Sequence, residues 1–522
     1  MSLKIKFYFS LFFSSLLCAS NSIAMDMSSA HHAHLANASS SNEVYSSSTK
    51  GLPFVQKFQW VHLKNGAEYT LVASIVKQKI GKKIIRRFAY NGSIPGPTIE
   101  VEQGAKIKVK FINQTDVPQT IHPHGLRLDY HNDGIPGISQ PTDVKPGESY
   151  EYELSFPDVG VFWYHPHVRE DYTQQMGLYG NFIVTPLNKM TLDPFNQKIS
   201  LTLNDLLLGK EAAPFYKNYT NYAAMGRYGN VMMMNGSEHF SMKANEGDVV
   251  RFYMTNVANT RTFRFQIPHA KMKLIAGDLS SFEQEMWTDS VTIAPGERNI
   301  VDVYFPKKGK YEIFNSTPEK TTSLGFVTVS SAHSKTSFQK EFFILHSNKA
   351  LSDEINKLKS SFSKPVDKNL ILSVQMQMNH KSDDESQKIE WEDPMPEMNA
   401  MMTSKDVVWK LIDGDTKKEN MDIQWLFEKD HMYKIRIFND PNSAHPMQHP
   451  IHFHGQRFLI LSRNGVNTTN YVWKDTVLVP RGDTVNILLE TSNPGDWMAH
   501  CHISEHLSSG MGLGFRVVDT LP

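Results

Sequence analysis

A threefold recurrence of one strand pattern constrains this chain more than any other feature. "AKIKVKFINQT" (105–115), "DVVRFYMTNVA" (248–258) and "HMYKIRIFND" (431–440) each alternate apolar and polar residues and each reach an asparagine near the end. Alternation sends successive side chains to opposite faces, so each run reads as a half-buried β-strand. Each is followed by a turn and strand ("KPGESYEYELSF", "APGERNIVDVYF", "PRGDTVNILLE"), and then by a glycine-aromatic strand ("GVFWYHPH", "GKYEIFNS", "GDWMAHCH"). The turn Asn91-Gly92-Ser93 recurs as Asn235-Gly236-Ser237. Three copies of an all-β plan predict three tandem Greek-key β-sandwich domains, at 52–188, 189–345 and 404–522, with a polar, Met-bearing linker at 346–403. The middle glycine-aromatic strand lacks the histidines of its counterparts, so the middle domain is expected to keep the fold without a metal.

The amino terminus has a separate task. Lys4 and Lys6 precede an apolar run from Phe7 to Leu17, and Ser22-Ile23-Ala24 supplies small residues for cleavage. This is the layout of a secretory signal peptide, 1–24, and predicts a periplasmic or secreted protein. The run is shorter than the ~20 apolar residues a spanning helix needs, so no membrane span is expected in the mature chain. Residues 25–51, rich in Ser, Asn, Ala and His, read as a disordered tail bearing Met25, Met27, His31, His32 and His34. Of two cysteines, Cys18 falls in the removed segment. Cys501 then stands alone, which excludes an intramolecular disulfide framework. Lys plus Arg equals Asp plus Glu, 54 each, which argues against a nucleic-acid partner.

Histidine is the outlier. Four clusters hold ten of the 22 histidines: His122 and His124; His165 and His167; His449, His452 and His454; and His500, His502 and His506. Each cluster contains a His-x-His pair, and on a strand such a pair presents two imidazoles on one face. Two clusters belong to the first domain and two to the third, so a shared metal site is expected between those domains. Cys501 alternates with His500 and His502, so its sulfur faces the other way and one strand end touches two sites. Thiolate, two imidazoles and a weak thioether form the ligand set of a blue-copper centre. Cys501, His506 and Met511 supply three of these, and His449 is the natural second imidazole. The remaining eight histidines suit a three-copper cluster.

These four clusters resemble the copper signatures of the multicopper oxidases, the family of laccases, ascorbate oxidase and bacterial copper-tolerance oxidases. "YNGSIPGPTIEVEQG" (90–104) resembles that family's opening strand pair. The resemblance implies cupredoxin-like domains and four copper ions. It assigns His449, Cys501 and His506 to type 1 copper with Met511 axial, and His122 and His452 to type 2. It gives the type 3 pair His124, His165, His167, His454, His500 and His502. One departure is Pro123, where many members carry an aromatic residue. The implied reaction is one-electron oxidation of a reductant at type 1, transfer through Cys501 to His500 and His502, and four-electron reduction of dioxygen to water. Glu505 and Asp133 match acidic positions that members use for proton delivery.

The reductant is the open question. Met376, Met378, Met395, Met398, Met401 and Met402 crowd 27 residues where the chain's 24 methionines would average about one. Thioethers select Cu(I), and His445 and Met447 lie just ahead of His449. This favours a metallo-oxidase of Cu(I), or Fe(II), in copper tolerance. Methionines that fill gaps in a loop packed on the third domain are the bland alternative. The competing functions are a laccase-like oxidase of phenols and a non-enzymatic copper-storing protein. A monomer is expected.

Overall fold

The structure is a computed structural model and describes residues 43–187, 193–209, 214–376 and 388–521. The signal segment, Met25, Met27, His31, His32, His34 and Met378 lie outside those residues. The described chain forms six sheets, paired into three sandwiches. The three recurrent strands take the same place in each: Lys106–Gln114, Val249–Asn256 and Met432–Asn439 lie third in their sheets. Each pairs parallel with an earlier strand (Glu68–Ile80, Gln197–Leu206, Lys368–Met376) and antiparallel with a later one (Ser149–Ser155, Arg298–Tyr304, Thr484–Glu490). Alternate residues of each recurrent strand fill their own sandwich core, which is why the alternation is visible; in the middle strand Val250, Phe252 and Met254 do so while Arg251 on the other face is buried against Asp302.

The terminal asparagines explain their own recurrence. The Asn113 amide donates to Val117 O and Val144 O, Asn256 to Arg261 O and Ile293 O, and Asn439 to Met447 O and Val479 O. Each ties the strand's end to the carbonyls of the segments around the next strand, so that buried backbone acceptors there gain a donor. Asn91 and Asn235 likewise adopt left-handed turns, with their side chains accepting from Val72 N and Thr202 N.

Two sequence expectations change. Residues 346–403 are more than a linker. A helix, Lys349–Phe362, buries Leu351 and Ile355 against Leu459, Trp473 and Leu488, and Lys368–Met376 is an inner strand of the third sandwich. Its Leu370, Leu372 and Val374 alternate inward, so the third unit begins ahead of 404; abundant Lys, Ser and Asp around the strand masked the pattern. Residues 43–51, expected within a disordered tail, are anchored: Tyr45 stacks on Tyr172 at 4.1 Å and Val44 bridges to Tyr216. Among the described residues no helix is long and apolar enough to cross a membrane.

Candidate metal centre

Register brings the histidines together. His122–His124 pairs antiparallel with Gly160–His165, setting His122 opposite His165, and His449–Phe453 pairs with Gly495–Cys501, setting His452 opposite His500. The equivalent middle strand, Phe263–Gln266, carries buried Phe263 and Phe265. Phenylalanine in place of imidazole leaves that sandwich an ordinary core.

Donor atoms within 4.8 Å of one another form the groups His124–His165–His502, His167–His454–His500 and His122–His124–His452. Each draws on both the first and third sandwiches, and every member is buried. The nitrogens that turn inward have no protein partner: Nε2 of His122, His165, His167 and His452, and Nδ1 of His124. His454 Nε2 and His500 Nε2 face each other at 2.9 Å. The outward nitrogens are held. His122 Nδ1 bonds Asp133 O at 2.8 Å, His165 Nδ1 bonds Pro166 O, and His452 Nδ1 bonds Asp475 O. His454 Nδ1 bonds Asp133 Oδ2 at 2.8 Å, His500 Nδ1 bonds Cys501 O, and His124 Nε2 meets Asp475 Oδ1 at 3.1 Å. His167 Nδ1 lies 3.1 Å from Glu170 Oε1. Buried imidazoles held on one nitrogen and bare on the other are the signature of metal ligands with their outer supports.

Burial pushes the imidazoles of His124, His165, His167, His500 and His502 far below the ordinary histidine range, reinforced by neighbouring histidines, and His454 falls to about 3. They stay neutral, as metal ligation requires. Asp133 experiences the same burial, which alone would raise it, but His454 and His122 outweigh that and hold it ionised.

A second group lies on the opposite face of the same strand. Cys501 Sγ sits 3.5 Å from His449 Nδ1 and 3.8 Å from His506 Nδ1, which are 3.3 Å apart. Met511 is fully buried in the same core, and its N–H bonds His506 O. Burial lifts the Cys501 thiol and drops His449 to about 3. The soft donor set fits copper.

Trp409 covers this group. Its ring stacks on His506 at 3.9 Å, meets His449 edge-on at 4.9 Å, and donates Nε1–H to Ala223 O. Beside it His445 Nε2 lies 2.8 Å from the Met225 sulfur. The candidate methionines divide: Met395, Met402 and Met447 are buried in the third core, Met376 and Met398 are half-buried against it, and Met401 is 72% exposed. Asn399 stitches their segment to the middle sandwich, accepting from Met225 N and donating to Gly226 O.

Glu505 is fully buried between the two sites' ligands, and burial raises it to about 7. Asn259 and Thr260, from the middle sandwich, donate to its two oxygens at 2.9 and 3.1 Å. Sequence reasoning missed Met225, Trp409, Asp475, Asn259 and Thr260. None has motif spacing, and only the domain contacts bring them to the site.

Residues 76–189, 195–335 and 393–520 each match a multicopper oxidase family domain. A multicopper oxidase of Staphylococcus aureus is 25% identical over 457 residues, covering 85% of this chain and 87% of that protein. A laccase of Neurospora crassa is 25% identical over 477 residues, covering 81% and 73%. Among solved structures, a multicopper oxidase from Campylobacter jejuni described as a metallo-oxidase superposes with a TM-score of 0.65 at 21% identity, covering 91% of this chain and 99% of that one.

Proposed function

Because the chain belongs to the multicopper oxidase family, and is thus a copper-dependent oxidoreductase using dioxygen, we propose that its reductant is Cu(I) and its role copper tolerance after export. We assign type 1 copper to His449, Cys501, His506 and Met511. Type 2 takes His122 and His452, and the type 3 pair takes His124, His165, His502, His167, His454 and His500. Copper held by these residues would supply one-electron redox chemistry at the first site and, with four electrons from the reductant, the reduction of dioxygen to two waters at the others. The chain supplies the rest. Peptide bonds run from Cys501 to His500 and His502, joining the sites covalently. Glu505, holding a proton near neutrality, donates it toward the cluster. Asp133, held ionised, fixes the rings of His122 and His454 and is a poor proton store.

One observation carries the substrate reading. His449 and His506 are 1% and 0% exposed beneath Trp409, so no aromatic ring can rest against their edges. The pair His445 and Met225 beside them offers the nitrogen and thioether donors that Cu(I) prefers. Similarity to a metallo-oxidase supports the same reading, and similarity to a laccase keeps phenols as the rival. The test replaces Met225 with Leu and, separately, His445 with Gln, and compares kcat/KM on Cu(I) and on a phenol. Loss on Cu(I) alone is expected; equal losses on both would favour the phenol oxidase.

A further inference from the structure

We propose that Arg298, from the sandwich that supplies no histidine to the cluster, is a positioning residue for the histidine cluster: through Asp475 it fixes the rings of His124 and His452. Given those two as copper ligands, as proposed above, one guanidinium of the middle sandwich sets the geometry of type 2 and type 3 copper together.

Arg298 is fully buried, and its fork touches all three sandwiches. Nε donates to Val161 O of the first at 3.0 Å. Nη1 and Nη2 donate to Gly296 O and Asp278 O of its own. The same two nitrogens grip Asp475 of the third, at 2.6 Å to Oδ1 and 2.5 Å to Oδ2. A planar guanidinium holds a carboxylate in one plane and one rotation, which an ammonium cannot do. Asp475 Oδ1, so held, lies 3.1 Å from His124 Nε2 and 3.4 Å from His452 Nδ1, whose ring also bonds the Asp475 carbonyl. Thr476 Oγ1 donates to Oδ1 at 2.7 Å and completes the shell. These contacts fall on the nitrogens opposite the inward ones, so Asp475 sets where the bare nitrogens of His124 and His452 point.

Two glycines show how tightly the arrangement is built. A Cβ at Gly125, directly after His124, would lie 2.5 Å from Asp475 Oδ2 and 2.6 Å from Arg298 Nη2. A Cβ at Gly296 would lie 2.7 Å from the His502 ring. Both have positive φ, +86° and +83°, where glycine carries no penalty. The middle sandwich supplies no histidine to the cluster but presses its "APGER" turn against it.

The test uses copper-loaded full-length protein with R298Q, R298K, D475N, and R298Q combined with D475N. Each is titrated with a copper chelator while type 1 absorbance, the type 2 EPR signal and total copper are followed. In R298Q the type 2 signal should disappear at roughly 10–100-fold lower chelator than in wild type, the usual scale for outer ligand supports, with the blue band unmoved. R298K, with charge but no fork, should fall between; it carries the test where R298Q does not fold. R298Q should cost nothing further when added to D475N, since Arg298 acts on the rings through Asp475. Retention of type 2 copper as in wild type, or loss of both signals at the same chelator concentration, would overturn the role. Wild-type protein without a type 2 signal would remove the ligand assignment and this role with it.

Discussion

At the scale of single residues, two buried carboxylates near one cluster are driven apart by their neighbours. Asp133 faces two imidazoles and stays ionised, while Glu505 faces amide and hydroxyl donors that do not offset its burial and rises to about 7. In the function proposed above, the pair divides the work that the sequence assigned to both: one orients and one carries a proton. Glu505→Gln keeps the shape and removes the proton, so it should slow oxygen reduction by roughly 10²–10⁴-fold while leaving type 1 absorbance alone. In the wild type, turnover at saturating reductant should decline as pH rises through about 7, because the protonated donor is lost. A variant that turns over normally, or a profile flat across that range, would make Glu505 a structural group.

At the scale of elements, the repeat was legible because alternate residues of each recurrent strand are the apolar ones that fill its sandwich core, and the histidine clusters because strand alternation turns spacing into a face. The Asn at each strand end was visible as a recurrence, and its hydrogen bonds give the reason. Asn439→Ala would leave Met447 O and Val479 O without their donor. It should lower stability by about 1–3 kcal/mol, the cost of unsatisfied buried acceptors, read from urea melts; a change under a few tenths would mean that water replaces the amide. The cap over Cys501 was not legible in full. Its methionines stood out by number, yet Met395 and Met402 face the third core and Met401 faces solvent, a division that composition does not encode. Met225 came from another domain, and Trp409 resembled any strand tryptophan until its ring was seen against His506.

At the scale of the whole molecule, the middle sandwich is the brace of a site it does not ligate. Its Asn259 and Thr260 hold Glu505, its Arg298 grips Asp475, and its Met225 backbone meets the methionine segment. In the proposed assignment copper would tie the outer sandwiches together, so metal-free protein must rely on neutral imidazoles buried between them. His449 and His454 sit at about 3 in the folded chain against ~6.5 when unfolded. Between those values the unfolded state binds the extra protons, so stability rises with pH. Apoprotein should therefore be fully stabilised by these groups above about 6.5 and lose that contribution as pH falls toward 3. Urea midpoints across this range should drop steadily; midpoints that do not move would mean that the rings are hydrated in the apoprotein.

The central claim, a thiolate copper joined through one strand end to a histidine-bound cluster, is tested most directly by Cys501→Ser. Copper content, visible absorption and oxygen uptake would be measured on the variant beside the wild type. The wild type should hold about four coppers and be blue from thiolate-to-copper charge transfer, and the variant should hold about three, lose the blue band and lose turnover, with its fold intact. A variant that kept its colour and its oxygen uptake would contradict the assignment.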